Sequence, residues 1–531
     1  DPATPARMPR LSKSRLQDLQ QCPKRLWLQV RHPELREDSA IAQLVFAAGH
    51  RVGEVARTLA PGGALIDPRV PGTDRPDLAE ALRLTRELLA AAPRRPLYEA
   101  TFERDGVLVR ADLLLPAPGG WRLAEVKSTS SVRDYHLADV AIQRWVLQGQ
   151  LKDDSWAAGP LAPLAGVELW HVDTSWTWPG GPDYTGLFAR EDLTAATEPL
   201  LDQVPRWVRE AERILQGHEP AIAMGQQCRT PFDCPFQAHC AAQAGPQPEY
   251  PVTLLPNTQG KKLAAQLLAE GYDDLRSVPP GRIEDPELAM IARATREGAP
   301  LLEPQAAEKL AGLAWPRAYL DFETIGFAVP QWPGTRPYQQ VPFQWSCQID
   351  GGPSGEGPSE GGPLEKGPSE GGQVREAAFL DLSGADPRRA CAAALVRELP
   401  ASGPVIVYNA GFERSVLRAL AGEFPDLARP LNRIARRLVD LLPLVRAHYY
   451  HPDMRGSRSI KAVLPTIPGG ADYGLLDEVQ HGAAAQAAYL EAIAAETGEA
   501  RRGELEGALR RYCAMDTWAM VALARFLASG K

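Results

Sequence analysis

The spacing of apolar residues in the first half of the chain alternates between helical and strand-like. Apolar positions recur every three to four residues over 9–30, 41–60 and 78–92, which predicts helices, the first of them serine-capped and interrupted by Cys22. Over 97–128 three short apolar runs are separated by the turn sequences RDG and PAPGG, which predicts strands. The alternation continues with predicted helices at 134–150 and 191–216 and a predicted strand at 165–172.

The second half of the chain opens with a mostly helical stretch, residues 249–312, whose proline breaks predict a helical connector. From residue 317 the apolar runs RAYLDFETI, FQWSCQI, EAAFLDL and PVIVYNA predict strands, with helices between and after the last two. Alternating strands and helices predict an α/β layer fold. Residues 351–373 form a degenerate Gly-Pro-Ser-Glu repeat that cannot bury apolar area, which predicts a disordered surface loop.

The length and net charge of the chain limit its domain number, its compartment and the partners it can bind. A chain of 531 residues is too long for one hydrophobic core, and we expect domains at 1–248, 249–312 and 313–531. No apolar run is long enough to span a bilayer and no signal-like segment opens the sequence, so we expect a cytoplasmic protein without a membrane partner. The net charge of −8 is no signature of nucleic-acid binding, so a polyanion would have to bind to local basic patches.

Two acids stand inside the apolar run RAYLDFETI. Asp321 and Glu323 are at positions i and i+2 of a predicted strand, so both face one side of it. Two buried carboxylates repel each other, and Mg²⁺ or Mn²⁺, which prefers oxygen ligands, would remove that repulsion. A solvated edge or a capping pair is the alternative interpretation of the same two residues.

Two further acids and a tyrosine follow the strand acids along the chain. Glu413 is predicted in the first turn of the helix that follows the strand ending at Asn409, and Tyr512 and Asp516 are spaced i, i+4 on the last helix. Together with the strand acids they resemble the DnaQ-like 3′–5′ exonucleases of the DEDD group, in the subtype with a tyrosine in the last motif. The resemblance covers about 317–531, and the sequence GSRSIKAVLP also resembles a segment of exonucleases in this group.

The DnaQ-like resemblance implies an RNase H-like mixed sheet with flanking helices. It also implies that four acids bind two Mg²⁺ or Mn²⁺ ions and that Tyr512 orients the attacking water. Those relatives usually have Asp where Glu413 stands, so Asp440 could substitute for Glu413 or add to it. The implied acidic ligands are Asp321, Glu323, Glu413 and Asp516.

A second group of candidate residues lies in the first half. Asp112 is on one predicted strand, Glu125 and Lys127 share a face of the next, and Gln143 is on the helix that follows. Two acids can chelate Mg²⁺ or Mn²⁺ while a lysine positions water or neutralises phosphate charge. The alternative interpretation is an exposed hairpin with a Glu–Lys pair. With the cysteines that bracket it, this pattern resembles the RecB-like PD-(D/E)XK nucleases stapled by an iron–sulfur cluster, over about 9–245.

The sequence of the first half differs from the RecB-like relatives at two positions. Gly53 stands where those relatives often carry a metal-binding histidine, with His50 and Glu54 nearby, and Leu147 replaces the tyrosine that follows the glutamine. The first domain is therefore interpreted as a second nuclease centre or as a degenerate centre that binds single strands.

Four of the seven cysteines form a ligand set, one distant residue followed by C-x5-C-x5-C. Four thiolates suit a 4Fe–4S cluster or a structural Zn²⁺, and the flanking sequences QCPKRLWL and CPFQAHC match the iron–sulfur relatives. We expect a 4Fe–4S cluster that staples the ends of the domain, with zinc or free core thiols as alternatives. The four are Cys22, Cys228, Cys234 and Cys240.

Residues 429–461 are rich in basic side chains, with Tyr449 and Tyr450 among them. Basic residues interleaved with aromatic rings suit a path for a single strand, whereas a solvated helix face is the alternative. The predicted nucleic-acid contacts are Arg433, Arg436, Arg437, Arg455, Arg458 and Lys461.

Both patterns on one chain resemble a prokaryotic two-nuclease family in which a RecB-like domain is fused to a DnaQ-like domain. We therefore expect a metal-dependent nuclease acting on DNA, with 3′–5′ exonuclease activity in the C-terminal domain and a role in DNA repair or defence. The alternatives are a nucleic-acid-binding adaptor in which one or both sites are degenerate, and an exonuclease directed at RNA.

Overall fold

The computed structural model describes residues 10–38, 40–153, 161–352, 374–470, 474, 476 and 479–530. These residues form two compact units, the first within Asp1–Gly245 and Phe327–Gln339 and the second within Pro246–Gly326 and Gln340–Lys531. Both units combine helices with β-sheet, which confirms the α/β class. Residues 353–373 of the predicted disordered loop lie outside the described residues.

The described part of the first unit contains seven strands and eight α-helices. Its strands are β1 (Leu11–Ser12), β2 (Ala64–Leu65), β3 (Leu97–Arg104), β4 (Val107–Ala117), β5 (Gly120–Lys127), β6 (Leu164–Val172) and β7 (Phe188–Asp192). Its helices are α1 (Lys13–Gln21), α2 (Pro23–Arg31), α3 (Ala40–Thr58), α4 (Leu78–Ala90), α5 (Asp134–Leu151), α6 (Thr194–Thr197), α7 (Val204–Gln216) and α8 (Gln237–Gln243).

The strands of the first unit form one sheet in the order β2-β3-β4-β5-β6-β7, and β1 pairs with β4. Strands β3, β4 and β5 are antiparallel, whereas β5 and β6 are parallel. Leu113 pairs with Ala124, and the N–H of Val126 donates to the Asp112 side chain, so Asp112 and Glu125 lie at the same end of the paired part of β4 and β5. Helix α5 is buried along most of its length against this sheet, so its polar residues are held inside the unit.

The prediction of one helix over 191–216 is wrong at its start. Residues Phe188–Asp192 form strand β7, which pairs antiparallel with β6, and the long helix begins only at Val204. Pro199 and Pro205 each lack a backbone N–H, so both stand at the start of a helical segment rather than inside a continuous one.

The second unit begins with the predicted connector. Its strands are β8 (Leu301–Leu302), β9 (Arg317–Ile325), β10 (Val341–Asp350), β11 (Val374–Leu380), β12 (Val405–Val407), β13 (Leu438–Asp440) and β14 (Tyr449–Tyr450). Its helices are α9 (Asn257–Ala269), α10 (Pro286–Glu297), α11 (Gln305–Ala311), α12 (Arg388–Glu398), α13 (Ala410–Glu423), α14 (Pro425–Arg436), α15 (Leu442–His448), α16 (Ile460–Val463), α17 (Gly482–Ile493) and α18 (Glu499–Ser529).

The main sheet of the second unit has the order β11-β10-β9-β12-β13. Strands β11, β10 and β9 are antiparallel, and β9, β12 and β13 are parallel. Strand β9 is central, and the 31-residue helix α18 packs against β9 and β10. This packing places the last helix beside the strand that carries the first two acids.

Residues 249–312 are mostly helical and belong to the second unit, and the short strand β8 within them pairs with β14. Residues 327–339, which were predicted in the C-terminal domain, belong instead to the first unit. Within the described part of the chain, no helix combines the length and apolar character needed to cross a bilayer.

Candidate functional site

The acids predicted in the second unit come together. Asp321 and Glu323 are on β9, Glu413 is in the first turn of α13, and Asp516 is on α18. Glu323, Glu413 and Asp516 all lie close enough to Asp321 for their charges to raise its pKa. Glu413 is 2% exposed and Glu323 and Asp516 are each 8% exposed, so the cluster is held largely away from water.

Burial is the main cause of the pKa shifts in this cluster. It raises the pKa of Asp321 well above the usual range, with further contributions from Asp516 and Glu323. It also raises the pKa of Glu323 and of Glu413 to about 8, assisted by Asp516 at Glu323 and by Asp440 at Glu413. The ionised forms are therefore destabilised unless a cation joins them.

Two observations fit a divalent cation at this site. The Oε2 atom of Glu413 is buried and has no hydrogen-bond partner among the described residues. One oxygen each from Asp321 and Glu323 lies within 4.8 Å of the other and of the Cys513 thiol. Oxygen ligands converging on one point suit Mg²⁺ or Mn²⁺. Cys513 is buried and borders these two acids.

Tyr512 connects the acids to a lysine. Its hydroxyl oxygen accepts a hydrogen bond from Lys461 Nζ at 2.8 Å, and that ammonium lies 4.6 Å from the centre of the tyrosine ring. Tyr512 is also hydrogen-bonded to Asp516, and burial together with the charges of Asp516 and Glu323 raises its pKa far above the ordinary value. The phenol therefore stays protonated. Lys461 was predicted as a nucleic-acid contact, and the structure places it in the acidic cluster.

Asp440 has a different task from Glu413. Its two carboxylate oxygens accept hydrogen bonds from the backbone N–H groups of Asn409, Ala410 and Leu442 at 2.9–3.0 Å. Asn409 has a φ of +79°, a left-handed conformation that asparagine tolerates. Asp440 therefore fixes the turn from which α13 begins, and Glu413 remains the candidate ligand.

The four residues predicted in the first unit also come together. Lys127 Nζ lies 2.6 Å from Glu125 Oε1, and Gln143 Nε2 donates to Glu125 Oε2 at 2.7 Å. Asp112 Oδ2 accepts the N–H of Val126 at 2.8 Å, which holds its carboxylate beside the same strand. Strands β4 and β5 and helix α5 thus supply one centre.

Two charged residues that the sequence interpretation missed complete this centre. Lys13 Nζ lies 2.7 Å from Glu125 Oε1 and 3.8 Å from Asp139 Oδ1. Asp139 is fully buried; it also contacts Lys127 at 2.7 Å and accepts from Gln143 at 3.0 Å. Asp139 had a sequence signal, because it precedes Gln143 by four residues on one helix face. Lys13 had no sequence signal, since it is 112 positions from Glu125.

The two strand acids of the first unit have opposite pKa shifts. Burial disfavours the charge on Glu125, yet Lys127 and Lys13 hold its pKa well below the usual range. Burial, followed by the charge of Glu125, raises the pKa of Asp112 to about 7. Near neutral pH the centre therefore contains one firmly ionised carboxylate and one that can take up a proton.

Helix α3 does not supply the histidine that the relatives often use. His50 and Glu54 are both exposed, and Glu54 pairs with Arg51 at 3.1 Å. Leu147, at the position of the relatives' tyrosine, is fully buried in the hydrophobic core of the first unit.

The four predicted cysteine ligands line one small cavity, together with Lys24 and Arg25. Among the described residues, no three of these thiols have sulfurs within 4.8 Å of one another. Tetrahedral zinc with bonds of 2.3 Å needs sulfurs about 3.8 Å apart, whereas a four-iron cluster binds each thiolate to a different iron and separates them further. Lys24 and Arg25 are paired with Glu219 at 3.0 Å and Asp18 at 2.7 Å, and the choice of a 4Fe–4S cluster over zinc stays a prediction. His239 pairs with Glu219 at 3.1 Å.

The arginines predicted to contact nucleic acid differ in how far they are exposed to solvent. Arg433, Arg436 and Arg455 are exposed, whereas Arg437 is partly buried and donates to the backbone oxygen of Gly403 at 2.9 Å. The prediction that Arg458 contacts nucleic acid is corrected, because only 7% of this residue is exposed.

The contacts of Arg458 explain the correction. Its Nη1 donates to the backbone oxygen of Tyr449, its Nε lies 3.6 Å from Glu287, and its guanidinium lies over the ring of Tyr450. Tyr449 and Tyr450 are themselves fully buried in β14, so neither ring can stack on a base. These three side chains stabilise the fold rather than offer a surface to a strand.

Comparison with known proteins gives one family match. Residues 318–459 match a domain of unknown function (DUF2779). The matched segment includes Asp321, Glu323, Glu413 and Asp440 and ends before Lys461, Tyr512 and Asp516. No curated protein matches the chain.

Proposed function

We propose that the second unit is a divalent-metal-dependent phosphodiesterase, DnaQ-like in fold, that removes nucleotides from the 3′ end of single-stranded DNA. The observation that supports this most strongly is the convergence of Asp321 with the buried acids Glu323, Glu413 and Asp516, together with the raised pKa values of Asp321, Glu323 and Glu413. Carboxylates in that state favour a cation strongly, and a surface cluster would show no such shifts.

The four acids are the residues that would hold Mg²⁺ or Mn²⁺. When bound, two such ions supply an activated water and a charge that stabilises the leaving oxygen. Glu413 has the unpartnered oxygen that such a ligand role requires, and the longer side chain relative to aspartate is no obstacle, because it reaches the same cluster.

The protein residues around the acids bind and orient the reacting groups. Tyr512 is a neutral hydroxyl fixed by Lys461 and Asp516, which suits it to position a water molecule. Lys461 brings a positive charge to the cluster and can neutralise a non-bridging phosphate oxygen. Arg433, Arg436 and Arg455 are exposed and would bind the phosphates of the strand.

For the first unit we propose a RecB-like PD-(D/E)XK centre formed by Asp112, Glu125, Lys127 and Gln143. Its support is the pair of direct contacts that the buried Glu125 makes with Lys127 and Gln143, with Asp112 held beside the same strand by the N–H of Val126. The four cysteines would hold a 4Fe–4S cluster as a structural staple between the two ends of this unit.

The test uses single-stranded DNA labelled at its 5′ end, incubated with wild-type protein in Mn²⁺ or Mg²⁺. We expect a ladder of products shortened from the 3′ end, and we expect Asp321→Asn to abolish it. Lys127→Ala, which changes the first unit alone, is the matched variant and should leave the ladder intact. Inert wild-type protein on both DNA and RNA would support the adaptor alternative, and activity on RNA alone would reassign the substrate.

A further inference from the structure

Glu125 of the first unit has every oxygen engaged by the chain's own donors. Its Oε1 contacts the ammonium groups of Lys13 at 2.7 Å and Lys127 at 2.6 Å, and its Oε2 accepts from Gln143 at 2.7 Å. Because Glu125 is 1% exposed, water contributes little to its solvation. Both lone pairs of Oε1 are therefore occupied, and a divalent cation that binds this oxygen must replace one of the two ammonium groups.

Lys13 is the donor most easily replaced. Lys127 is held by Asp139 at 2.7 Å in addition to Glu125, whereas Lys13 lies 3.8 Å from Asp139. Gln143 is on the buried helix α5 and also contacts Asp139. The Lys13 and Lys127 side chains are 23% and 26% exposed, so both have a path toward solvent, and the close pairing of Lys127 with Asp139 is what distinguishes the two donors.

The position of Lys13 in its helix also calls for an explanation. Lys13 is the first residue of α1, directly after the capping residue Ser12, whose side chain accepts the N–H of Arg15. A cation at a helix N-terminus is unfavourable because it repels the positive end of the helix dipole. The buried carboxylates, not a local helical preference, therefore account for a lysine at this position.

We infer that Lys13 is a resident counter-ion of the first unit's centre, and that Mg²⁺ or Mn²⁺ reaches Glu125 only after the Lys13 ammonium has left. Lys13 thus sets the metal affinity of this centre, and once displaced it is placed to bind a phosphate of the substrate strand. The inference rests on the proposed metal-dependent chemistry of the first unit, and it makes Lys13 a positioning residue.

The test measures Mn²⁺ binding by electron paramagnetic resonance rather than cleavage. All proteins carry Asp321→Asn and Glu323→Gln, so that the second unit's site is silenced. We expect Lys13→Gln and Lys13→Met each to tighten Mn²⁺ binding at the first unit by about tenfold or more, because a competing cation is gone. Lys13→Arg, which keeps the charge, should retain the weaker binding.

Arg15→Gln is the matched control, since it removes one positive charge from the same helix and Arg15 donates to the backbone oxygen of Arg10 rather than to the acids. We expect it to leave Mn²⁺ affinity unchanged. If the Lys13 variants are folded by circular dichroism and bind Mn²⁺ no more tightly than the parent, or more weakly, Lys13 is structural and the inference fails. The exonuclease assay on wild-type protein is independent of this outcome, so failure of the two proposals can be told apart.

Discussion

The two acidic centres of this protein differ in how their charge is balanced. Among the described residues, the second unit gathers four carboxylates, Asp321, Glu323, Glu413 and Asp516, around one ammonium, that of Lys461, which leaves −3 when all are ionised. Within the same part of the chain, the first unit gathers three carboxylates, those of Asp112, Glu125 and Asp139, around two ammonium groups, those of Lys13 and Lys127, which leaves −1.

This difference shows in the pKa values. In the second unit the acids raise one another's pKa. In the first unit Glu125 likewise raises the pKa of Asp112, but Lys127 and Lys13 hold the pKa of Glu125 low. A centre with uncompensated charge depends on cations from solution, and a centre with internal counter-ions folds without them. The comparison therefore predicts a strict metal requirement for the second unit and a weaker one for the first.

The largest expected effect is the loss of a carboxylate from the second unit. Glu323→Gln keeps the shape of the side chain but removes a metal-ligating charge, and we expect the rate of 3′–5′ cleavage to fall by roughly 10³-fold. Glu125→Gln is the corresponding change in the first unit and should leave this rate within about twofold. The measurement is single-turnover cleavage of 5′-labelled DNA. Equal losses in both variants would mean that the two centres do not act separately.

The next effect concerns Lys461. Lys461→Met removes the one ammonium of the second centre, and we expect kcat to fall by about 10–100-fold with a smaller change in KM, because the charge acts on the reacting phosphate. Lys461→Arg should restore part of the rate. Lys261→Met, an exposed lysine on α9 of the same unit, is the control and should have no effect. A change confined to KM would return Lys461 to the role of a strand-binding residue.

A third effect is the pH dependence of stability without metal. The folded-state pKa of Glu323 and Glu413 is raised to about 8 from an unfolded value of 4.5, so the folded state binds protons more tightly. Their protonation stabilises the fold below the unfolded pKa, and this contribution is lost as the pH rises through about 8.

We therefore expect the Tm of the second unit in a chelator to fall by several degrees between pH 5 and pH 8, since about 1 kcal/mol corresponds to about 2–4 °C in a domain of this size. Mn²⁺ should remove most of this slope, and Glu323→Gln should reduce it. Differential scanning calorimetry across this range is the measurement, and a Tm that rises with pH in the chelator would contradict the assignment of these buried acids.

The smallest effect distinguishes Asp440 from Glu413. Asp440→Ala removes the acceptor for three backbone N–H groups, so we expect a loss of about 1–2 kcal/mol of stability and little change in Mn²⁺ affinity. Glu413→Gln should do the reverse, weakening Mn²⁺ binding while stability changes little or improves. Denaturant unfolding and Mn²⁺ titration on both variants provide the check.

The sequence predicted those parts of the sites that depend on local spacing. Asp321 and Glu323 share a strand face because they are two residues apart, and Tyr512 and Asp516 share a helix face because they are four apart. Lys13 could not be predicted in this way, since only the tertiary fold brings α1 to β5. The burial of Arg458 could not be predicted from the sequence either, because its partner Glu287 is 171 residues earlier. Composition alone does not show which arginines face solvent.

Helix α1 links the cysteine cavity to the carboxylates. Lys13 is at its start, Cys22 directly follows its end, and nine helical residues span about 14 Å. Gln21 donates to the backbone oxygens of Gln227 and Phe232, which fastens that end to the cysteine-bearing segment. Because one short helix joins the two places, the contact between the Lys13 ammonium and Glu125 depends on how the far end of α1 is held at Gln21 and Cys22.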